Sequence, residues 1–103
     1  MTGPQLWTLQ DFLPRFDAWV DQEQPLDELR VYVLDWIFTR SRDPYADARR
    51  VDGFSDYWQA VIPRSEHFDD HAERSAVVCL FWLDAAARIV RCDRIADLSL
   101  PIG

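Results

Sequence analysis

His67 and His71 stand four residues apart in the run RSEHFDDHAER, with Glu66, Asp69, Asp70 and Glu73 around them. Neutral imidazole and carboxylate are standard ligands for a divalent metal. The order HFDDH is not the HExxH of a zinc protease, and the polar run around it reads as a solvated connection between strands. His67 and His71 are therefore the metal candidates of this chain, and neither a metal nor any other cofactor is assigned.

Arginine is the second group with chemical reach. All eleven basic residues are Arg, which points to a GC-rich bacterial genome. Arg40, Arg42, Arg49 and Arg50 fall within eleven residues together with Asp43, Asp47 and Tyr45, and Arg88, Arg91 and Arg94 punctuate RIVRCDRI. A guanidinium fork matches the oxygens of a phosphate. If the chain touches RNA, Arg49, Arg50, Arg91 and Arg94 are the residues to carry it. The overall balance opposes that use. Net charge is −7, with −5 contributed by residues 1–36 and another −5 by residues 51–73. Nucleic-acid binders are usually basic, because phosphate neutralisation supplies most of their affinity. Local pairing of Arg with carboxylates is the expectation, and nucleic-acid binding is not.

Cys79 and Cys92 lie among Val and Phe, where burial raises a thiol pKa, so neither reads as a nucleophile. No CxxC spacing, GxSxG or phosphate-cradling loop is present, and the chain has only three glycines. No catalytic residue can be named.

These residues sit on elements that the pattern makes legible. Ser75 to Leu98 reads as a hairpin: Ala76–Leu83 is rich in Val, Phe and Trp, and Arg88–Ile95 is its partner. A four-residue loop on a type I turn opened by Asp84 sets Leu83 against Arg88 and Cys79 against Cys92. Val77, Cys79, Phe81, Val90 and Cys92 then share the buried face. Leu9, Phe12, Leu13, Phe16, Trp19 and Val20 predict a first amphipathic helix, starting near Asp11–Leu13 because Pro14 fits only a first turn. Pro25, Asp27 and Glu28 open a second, with Leu26, Leu29, Val33, Leu34, Ile37 and Phe38 as its stripe and Asp43-Pro44 as its stop. Val31, Tyr32 and Trp36 widen that stripe, which places this helix between the sheet and the first helix. Residues 41–54 read as loop, Asp56–Ile62 as a third strand ended by Pro63, and residues 98–103 as a short last strand or tail.

The helices, the strand at Trp58–Ile62 and the strands VVCLFWLD and RIVRCDRI resemble the RelE/ParE toxin superfamily. In that family the penultimate strand often ends in tyrosine, one residue, a β-branched apolar residue and Asp, and Phe81, Trp82, Leu83 and Asp84 are similar. The resemblance implies two helices packed on an antiparallel sheet, and an endoribonuclease or gyrase-directed toxin. Three features depart from it. The arginine that usually starts the family's strand matches Val78, the C-terminal RNA-handling side chain has no counterpart in SLPIG, and the opening strand is missing.

The reading at this level is one α+β domain over residues 1–103: two N-terminal helices packed on a three- to four-stranded antiparallel sheet. Its favoured function is that of a small, non-catalytic protein-binding module of the bacterial cytoplasm, with the RelE/ParE-like toxin as the alternative. Five Trp and three Tyr exceed what a small core buries, and aromatics with Arg are the usual anchors of interfaces. An acidic surface favours a basic protein partner, and homo-oligomers are left open. No apolar run approaches the length of a membrane span, and MTGPQLWTLQ lacks the regions of a signal peptide.

Overall fold

The computed structural model describes residues 6–68 and 73–100. It is an α+β fold in which two helices cover one face of a six-stranded, mostly antiparallel sheet. The chain runs β1 (Thr8–Gln10), α1 (Phe12–Glu23), α2 (Asp27–Thr39), β2 (Ala48–Arg50), β3 (Tyr57–Val61), β4 (His67–Phe68), β5 (Arg74–Asp84) and β6 (Ile89–Ser99). The strand order is β1-β6-β5-β3-β2, with β4 beside β5, and β1 runs parallel to β6. The sheet is wider than the three or four strands expected. The additional strands β1, β2 and β4 are two or three residues long, too short for an alternating pattern to declare them. The opening strand read as missing is thus present as β1. Likewise β2 lies within the stretch read as loop.

Helix α1 starts at Phe12 behind Asp11, so Pro14 falls in the first turn, where no amide is needed. Asp11 occupies the cap position but its side chain makes no capping bond. The helix ends on Gln24 at φ 46°, whose amide donates to the Val20 carbonyl, the role usually given to glycine. Helix α2 buries Val33, Trp36 and Ile37. It is not sandwiched between the sheet and α1. Leu26, Val31 and Phe38 are 81%, 60% and 55% exposed, and α1 reaches the sheet directly through Trp19, whose indole Nε1 donates to Asp97 Oδ1 on β6 at 2.8 Å. The two helices therefore lie side by side over one core, with Phe12 and Trp19 from the first and Val33, Trp36 and Ile37 from the second.

The β5–β6 hairpin keeps the expected buried set Val77, Cys79, Phe81, Val90 and Cys92, adds Ile95 to it from the face expected to lie opposite, and changes its register. Asp84 pairs with Ile89 and Leu83 with Val90, so the loop is Ala85–Arg88, one residue further along than expected. Asp84 does open the turn, its Oδ1 accepting the Ala87 amide at 3.0 Å. Arg88 closes it at φ 55°, a left-handed residue in a turn that has no glycine. Phe81 opposes Cys92, but Leu80 opposes Arg94 and Cys79 opposes Ile95. Asp93 is thus the extra residue of a β-bulge. Without it Arg94, not Ile95, would enter the core. With it Val77, Cys79, Phe81, Val90, Cys92 and Ile95 are all buried.

The two cysteines are buried free thiols. A hydrogen bond with Cys92, reinforced by burial, pushes the Cys79 thiol well above its usual range. Both thiols are expected to resist alkylation in the native protein and react only on unfolding. Cys79→Ser should cost on the order of 1 to 3 kcal/mol, the range for an imperfectly satisfied buried hydroxyl. Rapid native labelling of either thiol would contradict the packing described.

Candidate nucleic-acid interface

The helices leave the other face of the sheet open. Strand alternation places Tyr57, Gln59 and Val61 of β3 on that face, with Leu80 and Trp82 of β5, because Ala60, Cys79 and Phe81 point into the core. Cross-strand pairing extends the assignment to the arginines. Arg49 pairs with Gln59, Gln59 with Leu80, and Leu80 with Arg94, so one row across four strands has an arginine at each end. Three strand spacings separate the ends, about 14 Å. The neighbouring row is Tyr57, Trp82 and Arg91.

The bulge at Asp93 shapes this face. It lets Arg91, Asp93 and Arg94 share one side of β6, which a regular strand would forbid for the last two. Tyr57 donates its hydroxyl to Asp93 Oδ2 at 2.5 Å. Burial first, then that hydrogen bond and the carboxylate charge, pushes the Tyr57 phenol up to about 12, so it remains a donor at neutral pH. The Tyr57 and Trp82 rings lie 4.3 Å apart, and Phe54 meets both edge-on at 5.4 and 6.0 Å. The result is an aromatic platform flanked by cations. Toward the β5–β6 turn the platform drops into an open cleft of about 620 Å³ between Gln10, Arg91, Trp82, Asp84 and Asp56.

The four arginines singled out in the sequence divide. Arg49, Arg91 and Arg94 share the open face, whereas Arg50 pairs with Trp58 and so projects to the helix side. Arg40 does not belong to a basic surface at all. It is 1% exposed, and its guanidinium donates to the Pro44 and Ala46 carbonyls and to Thr39 Oγ1 while stacking 4.1 Å from the Trp36 ring. Tyr45 is likewise structural, meeting Trp7 and Trp58 edge-on. His67 is held by the Ser65 carbonyl at Nδ1 and by Asp97 Oδ2 at Nε2, and His71 lies outside the described residues. Among the described residues no three His, Cys, Asp or Glu side chains gather as a metal site. Sequence reasoning does not single out Tyr57, Phe54, Trp82 and Asp93 as a site. Strand pairing brings them together, and only the alternation of YWQAV hints at which of them share a face.

No protein-family model matches the sequence, and no curated protein matches it. Among solved structures, the E. coli toxin RelE, in a free-state form with two arginines changed to alanine, is similar in fold. The TM-score is 0.57 at 10% identity, covering 87% of this chain and 81% of that one. At that identity the likeness is one of fold, and it agrees with the RelE-like architecture read from the hairpin strands. Among the described residues no helix is long and apolar enough to cross a membrane.

Proposed function

We propose that this chain is a toxin-like protein of RelE type that binds single-stranded RNA across the open face of its sheet. The observation that carries the reading is the coincidence of Arg49, Arg91 and Arg94 with the Tyr57–Trp82–Phe54 platform on one uncovered face. Bases stack on aromatic side chains in a sequence-tolerant way while cations follow the backbone. Part of the chain-wide charge of −7 is remote from this face, although Asp93 stands on it and Asp56 and Asp84 line the cleft at its end. Asp17, Asp21, Asp27, Glu28 and Asp35 are carried by the helices on the far side of the sheet, and charges further apart than a Debye length of about 8 to 10 Å are largely screened. The proposal departs from the expectation drawn from net charge alone.

Tryptophan fluorescence during titration with a short uridine RNA tests it. Binding should be measurable at low salt and weaken as salt is added. Replacing Arg91 and Arg94 by Gln should flatten the log–log salt dependence by about 1.4, roughly 0.7 for each single-strand phosphate that is no longer neutralised. Arg50→Gln, on the opposite face, should leave it unchanged. Absence of binding at low salt, or an Arg50 effect equal to that of Arg91, would overturn the reading.

A second reading, a basic protein partner, is supported by the helix side. Exposed Val31 sits there between two shallow apolar clefts rimmed by Asp17, Asp27, Glu28 and Asp35. The two surfaces lie on opposite faces, so one does not exclude the other.

A further inference from the structure

Where α1 hands over to α2, on the helix side of the sheet, the fold leaves a half-enclosed cavity of about 460 Å³. Leu29 supplies an apolar part of its lining, Glu23 comes from the end of α1, and His67 and Asp97 come from β4 and β6. The last two are held in place. Asp97 accepts from Trp19 at Oδ1 and meets His67 Nε2 through Oδ2, and the side chains of Asp97 and His67 are 12% and 21% exposed. Leu26 also lines the cavity although it is 81% exposed, so a large apolar side chain stands in water at its rim. The charges nearby run against the rule for helix ends, since cations belong at a C-terminus, where the backbone dipole is negative. The last turn of α1 carries Asp21 and Glu23 and no basic residue, and α2 opens on Asp27 and Glu28. Residues 21–28 thus hold four carboxylates and no cation, and Arg30, the next cation along the chain, is paired with Asp27. Local rules broken without a gain inside the fold belong to functional surfaces.

We infer that this cavity docks a segment of a partner protein in which one bulky apolar side chain is flanked on both sides by Lys or Arg. The inference rests on the basic-partner reading of the helix side and is independent of RNA binding. The apolar side chain enters over Leu29 and covers Leu26, removing both from water. The flanking cations meet Glu23 and Asp21 at the negative end of α1, and Asp27 and Glu28 at the start of α2. Charge complementarity selects this occupant. Nucleic acid and anionic lipid carry the same sign as the rim and are repelled by it. A small molecule with a single amine meets the carboxylates of one helix end, whereas a segment with cations before and after its apolar residue meets both. An apolar anchor in a pocket, ringed by charges that steer the approach, is also how tight protein contacts are built.

The test follows the fluorescence anisotropy of two labelled peptides, one with a phenylalanine between two pairs of lysines and one with serine in place of the phenylalanine. The phenylalanine peptide should bind at low salt, weaken as salt is added, and bind about ten-fold tighter than the serine peptide. Glu23→Lys should weaken it by about ten-fold, whereas Asp52→Lys, the same change of charge in the exposed turn before β3, should stay within about two-fold of the parent. A cation in the last turn of α1 suits the helix dipole, so Glu23→Lys is expected to fold. Leu26→Ser, at an exposed position, should reduce the preference for phenylalanine over serine. Equal effects of Glu23→Lys and Asp52→Lys, or equal affinity for the two peptides, would overturn the cavity as the site and leave a basic partner in place. Full displacement of the phenylalanine peptide by phenethylamine, one ring with one amine, would make the occupant a small amine and overturn the docked segment. Failure of both peptides to bind at low salt would overturn the basic-partner reading as well.

Discussion

Arg40→Met should lower the free energy of unfolding by about 3 kcal/mol, although in the sequence Arg40 looks like one more member of a surface basic cluster. The side chain fills a buried position at the end of α2 and serves as donor to the Pro44 carbonyl, the Ala46 carbonyl and Thr39 Oγ1. Methionine matches its apolar stem but donates nothing. Acceptors left without a donor cost about 1 to 3 kcal/mol each when buried, and removing the stack on Trp36 adds up to about 2 kcal/mol. An opposing gain reduces the total. Burial pushes the Arg40 pKa down, with Asp47, Cys79 and Asp43 pulling the other way, and a neutral residue escapes that desolvation cost. Arg40 Nε also has no partner among the described residues, so the guanidinium is not fully satisfied to begin with. Denaturant unfolding should separate this variant clearly from Arg42→Met, an exposed neighbour expected to stay within about 0.5 kcal/mol of the parent. Equal midpoints for the two variants would show that the loop from Asp43 to Asp47 does not depend on Arg40.

What the sequence makes legible and what it does not can be traced to individual residues. The buried face of the hairpin follows from alternation alone, since Val77, Cys79, Phe81, Val90 and Cys92 recur with period two on either side of a turn that Asp84 opens. The register does not follow, for two reasons. Arg88 adopts a left-handed conformation that nothing in its type announces. Asp93 is inserted as a bulge, which breaks the alternation, so a regular strand puts Ile95 on the wrong face. The same bulge hides the open face, since it turns Asp93 and Arg94 to one side. Helix α2 misleads in the other direction. Leu26, Val31 and Phe38 are apolar without being buried, so an apolar circumference overstates how much of the helix is covered. For Arg40, Arg49 and Arg50 the side-chain type is informative and the direction is not. Direction depends on strand β2, whose three residues lie in a segment punctuated like a loop.

Trp19→Ala should be the most damaging single substitution on α1, costing about 4 kcal/mol, within the range for a large buried aromatic. The indole is 2% exposed and packs 5.8 Å from the Phe16 ring. It also joins the N-terminal helix to the far end of the chain, because Nε1 donates to Asp97 Oδ1 at 2.8 Å. The other oxygen of that carboxylate meets His67 Nε2 at 2.9 Å, and His67 Nδ1 meets the Ser65 carbonyl at 2.8 Å. Since both ring nitrogens face acceptors, both bonds are made at once only by the imidazolium form. Trp19 therefore does two separable things: it fills volume and it serves as one donor to a half-buried carboxylate. Trp19→Phe keeps most of the volume and removes the donor, and should cost about 1 to 3 kcal/mol, the range for a hydrogen bond to a charged group. Asp97→Asn should cost more than Trp19→Phe, because it weakens the bonds to Trp19 and His67 together. Combining Trp19→Phe with Asp97→Asn isolates the shared bond. The pair should destabilise by less than the sum of the single variants, with a coupling above about 0.5 kcal/mol. Additive costs in denaturant unfolding would mean that Trp19 acts by filling space alone, and that α1 is held to β6 by packing without the hydrogen bond.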